Sequence, residues 1–341
     1  MKKLSNVLIL LVMLSMLLSA CATPTAVATE PPAVVEPTVA PTAVPTQAPV
    51  VEVEAPDYTT LLTALIADVM NVEKGYGAVA PAKVNEELAE KQLFLLDVRE
   101  ASEIETAGYI KGSVNIPVRD VFKNLDKLPA LDQPIVVYCA SGHRGAFVFA
   151  ALRMLGYTDV RNIAGGLGAW TKAELAVETG LPEAPVAGTA PEVDAGLLAA
   201  LDEYFSALPE GFYAVKSDKL NEELADKAPF LLDVRRTQEF AENGRIEGAY
   251  NVTVEELMSN LDLLPAKDTP MVVYCVSGHR AGVATMALQL LGYTDVRNLA
   301  GGFNAWKAAQ LPIVGYVDWT AEFTSFLSNL PEDFNSIGAA G

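Results

Sequence analysis

The sequence predicts an α/β protein built as two tandem copies of one domain, each a central parallel sheet flanked by helices. Three observations predict it. Strings of residues return 136 positions further on with no insertion or deletion: Phe94–Arg99 as Phe230–Arg235, Leu155–Asn162 as Leu291–Asn298, Trp170 as Trp306. Each copy alternates short apolar runs with helix-like segments, the pattern of strand–helix–strand units. The period is far too long for a solenoid repeat, so each copy can bury a core of its own.

Residues 1–20 read as a signal peptide: Lys2 and Lys3, then an apolar run from Leu4 to Leu18 that is too short for a comfortable membrane span. It ends in Leu18-Ser19-Ala20-Cys21, which resembles the lipobox of bacterial lipoproteins, with Cys21 as the lipidated first residue of the mature chain. Residues 21–55 are Pro, Thr, Ala and Val without helical or strand period, a disordered tether. Together these place the protein outside the cytoplasm, lipid-anchored to the bacterial cell envelope.

The first domain is expected over 56–178. A helical lead-in runs from Asp57 to Met70. Leu93–Asp97 is a buried strand, and Glu100–Ala107 a helix stopped by Gly108. Ser113–Ile116 is a short strand, Val118–Leu125 a weak helix, and Ile135–Tyr138, β-branched and apolar, a central strand. Gly145–Leu155 is a helix ended by Gly156, Asp159–Ile163 a strand and Leu167–Lys172 a last helix. A linker with Pro182, Pro185 and Pro191 occupies 179–192. The second domain, 193–314, repeats the scheme: a lead-in from Asp194 to Leu208, a central strand at Met271–Tyr274, a helix at Ala281–Leu291. Residues 315–341 hold a further helical segment, Asp318–Leu330, expected to cap the second domain.

Chemistry concentrates in two loops. Cys139-Ala140-Ser141-Gly142-His143-Arg144 returns as Cys275-Val276-Ser277-Gly278-His279-Arg280, and these strings hold both histidines and two of the three cysteines of the chain. Each joins the carboxyl end of the central strand to a helix start, where ligands of open α/β sheets bind. Backbone N–H groups and the helix N-terminus make the turn an anion cradle. Gly142 and Gly278 let the backbone curl, and Arg144 and Arg280 can close the cradle with a cation. A cysteine at the first position should have a depressed pKa and act as a thiolate nucleophile. His143 and His279 either tune acidity or contact the donor, or are exposed loop side chains. Asp97 and Asp233 read as structural, anchoring the loop base or pairing with a nearby arginine, and Trp170 and Trp306 as core. A disulfide between Cys139 and Cys275 is disfavoured, because equivalent points of tandem domains seldom meet within bonding distance.

The chain resembles the rhodanese (sulfurtransferase) family over about residues 80–175 and 216–312. The resemblance rests on the Leu-Asp-Val-Arg strand ends, on the segments Gly108–Asn115 and Gly244–Asn251, on the Cys-x-x-Gly-x-Arg loops, and on Ala164–Trp170 and Ala300–Trp306. It implies transfer of sulfane sulfur from thiosulfate or a similar donor, through a cysteine persulfide, to cyanide, sulfite or a thiol. Cys139 and Cys275 would be the nucleophiles, and the backbone from Ala140 to Arg144 and from Val276 to Arg280 the substrate cradle. Two departures stand out. Tyr109-Ile110-Lys111 and Arg245-Ile246-Glu247 replace a common His-Ile-Pro, and Asn251-Val252 lacks the proline kept in Asn115-Ile116-Pro117. Both cysteines are present, so both domains are expected to be active. Neither a metal nor a cofactor is implied.

A formal charge of −19 argues against nucleic-acid partners and requires any anion site to be made locally. The partners expected are small sulfur anions, thiol acceptors and a membrane, with room for a redox or sulfur-accepting protein. Two rivals remain. A tethered, non-enzymatic persulfide carrier would need the same cysteines. A phosphatase is disfavoured by a Cys-to-Arg loop with four intervening residues, small for a tetrahedral phosphate.

Overall fold

Strands buried along most of their length build two sheets with apolar layers on both faces. The computed structural model describes residues 55–315 apart from 72, 91 and 92; the expected signal peptide, nearly all of the expected tether and the expected capping helix Asp318–Leu330 fall outside that range. In the first repeat the strands are β1 (Ala78–Val79), β2 (Phe94–Asp97), β3 (Ser113–Asn115), β4 (Ile135–Tyr138) and β5 (Val160–Ile163). They run parallel in the order β1-β5-β4-β2-β3. In the second, β6 (Ala214–Val215), β7 (Phe230–Asp233), β8 (Tyr250–Asn251), β9 (Met271–Tyr274) and β10 (Val296–Leu299) repeat that order as β6-β10-β9-β7-β8, again parallel. The β4 run of apolar residues is buried throughout, as a parallel strand covered on both faces must be.

The helices of the first repeat are α1 (Tyr58–Val69), α2 (Pro81–Glu90), α3 (Ala101–Ala107), α4 (His143–Met154) and α5 (Gly166–Lys172). Those of the second are α6 (Ala195–Ser206), α7 (Ser217–Asp226), α8 (Thr237–Glu242), α9 (His279–Leu290) and α10 (Gly302–Ala308). Asp57 and Asp194 cap α1 and α6, accepting from the backbone N–H of Thr60 and Leu197. The helix expected over Val118–Leu125 is instead two 3₁₀ turns, Val118–Asp120 and Leu125–Lys127. Val118, Val121, Phe122 and Leu125 are buried at helical spacing. The chain nonetheless leaves the helical region at Asn124 (φ −127°), and valine is a weak helix former. Helix α2 has no counterpart in the sequence reading; Pro81 starts it and Val84 anchors it.

One apolar core runs between the two repeats. Leu96, Val137, Phe147 and Phe149 share it with Leu232, Val273, Val283 and Met286. Separate outer layers around Trp170 and Trp306 cover the far face of each sheet. Residues His143–Leu152 of α4 and His279–Leu288 of α9 are buried on every side, because these helices pack on each other as well as on their own sheets. A Cβ at Gly282 would lie 2.8 Å from that of Ala146, so the close crossing depends on glycine. The lead-in helices cross over. Helix α6 of the second repeat packs on the turn at Val118–Asp120 of the first, with the Phe205 ring 4.4 Å from Phe122. Helix α1 of the first reaches α9 of the second.

Candidate active sites

Each cysteine loop sits where β4 or β9 ends and α4 or α9 begins. Cys139 and Cys275 are buried and free. Gly142 turns the chain into α4 at φ 95°, ψ −15°, a left-handed conformation open mainly to glycine. That curl points its N–H at Cys139 Sγ, 3.1 Å away; the Gly278 N–H lies 3.2 Å from Cys275 Sγ. The first N–H groups of α4 and α9 have no partner within their helices, so partial positive charge gathers at the same place. Helix α4 starts at His143, two residues before the expected Gly145, and this brings His143 and Arg144 into its first turn.

The loop is held from behind. The N–H groups of Leu167 and Gly168 donate to the carbonyls of Cys139 (2.8 Å) and Ala140 (2.9 Å), and Phe303 and Asn304 do the same for Cys275 and Val276. Gly166 makes this approach possible: a Cβ there would lie 2.3 Å from the Cys139 carbonyl oxygen. The buried Asn162 amide donates to the Gly142 carbonyl at 2.8 Å, and Asn298 to Gly278 at 3.0 Å. Asp97 pairs with Arg99 at 2.5 Å and Asp233 with Arg235 at 2.6 Å, all four fully buried. Those arginines also donate to the carbonyls of Gly108 and Gly244, bracing the strand ends.

Arg144 and Arg280 carry partners that the sequence reading missed. Glu103 of α3 takes the Arg144 guanidinium in two bonds of 2.6 and 2.7 Å, and Glu239 of α8 takes Arg280 at 2.7 and 3.0 Å. Burial opposes the charge on Arg144, but Glu103 and Cys139 outweigh it and raise its pKa; Glu239 and Cys275 do the same for Arg280. Glu239 is driven down to about 2 despite its burial, by Arg280. The signal was present, since Glu103 and Glu239 occupy equivalent positions in the repeat.

Both histidines are buried, at 6% and 2% exposure, so the exposed alternative does not hold. His279 reaches across to the first repeat. Its Nδ1 accepts from the Asn162 amide at 2.8 Å and its Nε2 donates to the Tyr76 carbonyl at 2.7 Å, which fixes a neutral ring. Burial lowers its pKa to about 4, the Tyr76 carbonyl offsetting this only in part. His143 is lowered to about 3 by burial and the neighbouring Arg144, with Ser141 Oγ 3.2 Å from its Nδ1.

Each site is finished by an aromatic ring from the other repeat. Phe212 of the second lies 4.7 Å from the Arg144 guanidinium, and Tyr76 of the first lies 4.7 Å from that of Arg280. Both rings sit on residues of positive φ, 51° and 61°, a strained backbone for a non-glycine residue. A cavity of about 180 Å³ opens at Cys275, lined by Tyr76, Arg236, Glu239, Val276 and Arg280 among others. A wider groove of about 620 Å³ flanks the first loop, lined by Ser102, Glu103, Thr106, Ala140, Leu167 and Thr171 among others.

The sequence pattern of the Rhodanese-like domain matches residues 80–173 and again 216–309. This chain belongs to the rhodanese-like family. As a tandem rhodanese-like protein it is similar to a sulfurtransferase of Allochromatium vinosum, 38% identical over 101 residues, covering 29% of this chain and 92% of that one. The thiosulfate:glutathione sulfurtransferase of Homo sapiens is 36% identical over 109 residues, 28% of this chain and 94% of that protein. A thiosulfate sulfurtransferase of Corynebacterium glutamicum is 28% identical over 218 residues, which is 54% of this chain and 67% of that one.

Proposed function

We propose that this tandem rhodanese-like protein is a sulfurtransferase in which both Cys139 and Cys275 carry sulfane sulfur. The observation that carries the reading is the duplicated cradle: a cysteine sulfur against a left-handed glycine N–H, at a helix N-terminus, beside a carboxylate-held arginine. The thiolate attacks the sulfane sulfur of thiosulfate. The S–S bond of the donor breaks, sulfite leaves with the electron pair, and a cysteine persulfide remains. Attack on the outer sulfur by cyanide, sulfite or a thiolate returns the cysteine thiolate. The persulfide is anionic throughout, and the loop N–H groups and helix terminus favour it over a neutral thiol. This two-step, covalent scheme gives ping-pong kinetics.

Buried, neutral His143 and His279 are placed to hold the loops and the interdomain seam rather than to shuttle protons. The lipobox-like leader supports an extracytoplasmic, lipid-anchored location. Mass spectrometry of the full chain after reduction and thiosulfate treatment tests the function. One added sulfur on each of Cys139 and Cys275, removed by cyanide, is expected. Absence of label on both cysteines with thiosulfate and with polysulfide would overturn the reading. Hydrolysis of an aryl phosphate would favour the phosphatase, and stable persulfides that no small acceptor discharges would favour the carrier.

A further inference from the structure

The two cysteine loops are near copies, but the walls around them are not. The residues lining the wide groove beside Cys139 include Leu167, Gly168 and Thr171 of α5 and Ser102, Thr106 and Ala107 of α3. At the equivalent positions the second repeat carries Phe303, Asn304, Lys307, Gln238, Glu242 and Asn243, every one larger or charged. The Phe303 ring fills the space by lying 4.3 Å from the buried Arg235 guanidinium, and Lys307 closes over it at 5.3 Å. At the second loop a cavity of about 180 Å³, against about 620 Å³ for the groove, opens on the side of the Tyr76 ring, and Cys275 itself lines it.

The charges at the rims are also exchanged. Arg236 lines the cavity of Cys275, whereas its counterpart beside the first loop is Glu100, tied to Arg119 at 2.9 Å. Glu255, the counterpart of Arg119, is turned onto the Tyr76 hydroxyl at 2.8 Å. Each rim set, with its loop arginine and paired carboxylate, is neutral in sum. In the second repeat Arg236 and Arg280 face one cavity of small-anion size, both paired with Glu239, which lines it too. The first groove offers methyl and methylene surface, hydroxyls from Ser102 and Thr106, and charges already paired: Glu103 with Arg144, Arg99 with Asp97. Its volume is in the range of sites that enclose an organic ligand.

We propose that the two sites divide the acceptors. Cys139 hands its sulfur to low-molecular-weight organic thiols seated in the α3/α5 groove, while Cys275 is confined to small inorganic sulfur anions and cyanide. The proposal rests on the sulfurtransferase reading above. In the step at Cys139, a thiolate RS⁻ attacks the outer sulfur of Cys139–S–S⁻. The new S–S bond forms as the old one breaks, giving RS–S⁻ and the Cys139 thiolate, with no net oxidation.

The test uses the full chain with single substitutions, C275S to report on Cys139 and C139S to report on Cys275. Each protein is loaded with thiosulfate, freed of donor, and discharged with cyanide or with glutathione, persulfide loss being read by intact mass. Both are expected to discharge to cyanide. Glutathione is expected to discharge Cys139 at least about tenfold faster than Cys275, the size of discrimination a steric wall gives. Carrying the second-repeat residues into the first, as T171K alone and as L167F/T171K, should lower the glutathione-to-cyanide rate ratio at Cys139 toward that at Cys275. Equal ratios at the two cysteines, or a ratio untouched by both variants, would overturn the division while leaving sulfurtransfer standing. Failure of both cysteines to take up sulfur would instead remove the underlying reading and this inference with it.

Discussion

The Arg280 guanidinium lies 4.7 Å from the ring centre of Tyr76, a residue of the other repeat. Phe212 and Arg144 make the reciprocal pair at the same distance. Tyr76 and Phe212 are equivalent positions, so each repeat contributes the same lead-in aromatic to its partner's site. Neither cysteine loop is therefore completed by its own domain.

Truncating one aromatic should thus injure the distant cysteine. Y76A is expected to slow thiosulfate loading of Cys275 and leave Cys139 nearly unchanged, and F212A to do the reverse. A cation–ring contact of this kind contributes about 0.5–2 kcal/mol, so the expected effect is a few-fold to about thirtyfold. Site-resolved mass spectrometry decides it. If each variant harmed the cysteine of its own repeat, the crossed arrangement would be wrong.

Stability should fall as pH drops below about 6.5. Both histidines have folded pKa values below the ordinary value of 6.5, about 3 for His143 and about 4 for His279, because burial disfavours the cation. The unfolded chain then binds more protons than the folded one in this window. The full stability contribution is present above 6.5 and is lost as pH falls toward 4. At about 1.36 kcal/mol per pKa unit, each ring is worth up to a few kcal/mol. Urea melts at pH 7.5, 6 and 5 should show the decline, and H279N should flatten it. A pH-independent midpoint for the native chain would contradict the neutral, buried assignment.

Much of this arrangement was legible in the residues, and what was not has physical reasons. The strands at Leu93–Asp97 and Ile135–Tyr138 stood out because parallel strands buried on both faces must be continuously apolar. The cysteine loops stood out because repetition marked them. Helix α2 was missed because Val84 is among its few buried side chains, which leaves little periodicity to read. The expected helix at Val118–Leu125 failed because the right apolar spacing is satisfied by two tight turns. Asn162 could not be assigned from sequence. Its role is to link the Gly142 carbonyl to His279, 117 residues away, and no local pattern encodes a contact between domains.

Gly166 should be intolerant of any side chain. Its φ is 59°, and a Cβ would press on the Cys139 carbonyl. G166A is expected to abolish persulfide formation at Cys139 while Cys275 still loads, and to cost about 1–3 kcal/mol of stability from backbone strain alone. G302A should mirror it, since a Cβ there would lie 2.5 Å from the Cys275 carbonyl. Normal loading at Cys139 in G166A would show that the loop is not held by this contact.

The N-terminal sequence makes a prediction independent of both sites. The apolar run Leu4–Leu18 and the sequence Leu18-Ser19-Ala20-Cys21 call for lipid on Cys21. No helix among the described residues is long and apolar enough to cross a membrane. In a bacterial host, C21A should move the protein from the membrane fraction to the soluble one, with sulfur loading of Cys139 and Cys275 retained, because Cys21 lies outside both repeats in the sequence. A single acyl chain binds a bilayer only weakly and reversibly, so firm attachment requires more than one. Labelling with a radioactive or clickable fatty acid should accordingly mark the native chain and not C21A. Membrane retention of unlabelled C21A would show that something other than Cys21 anchors the chain.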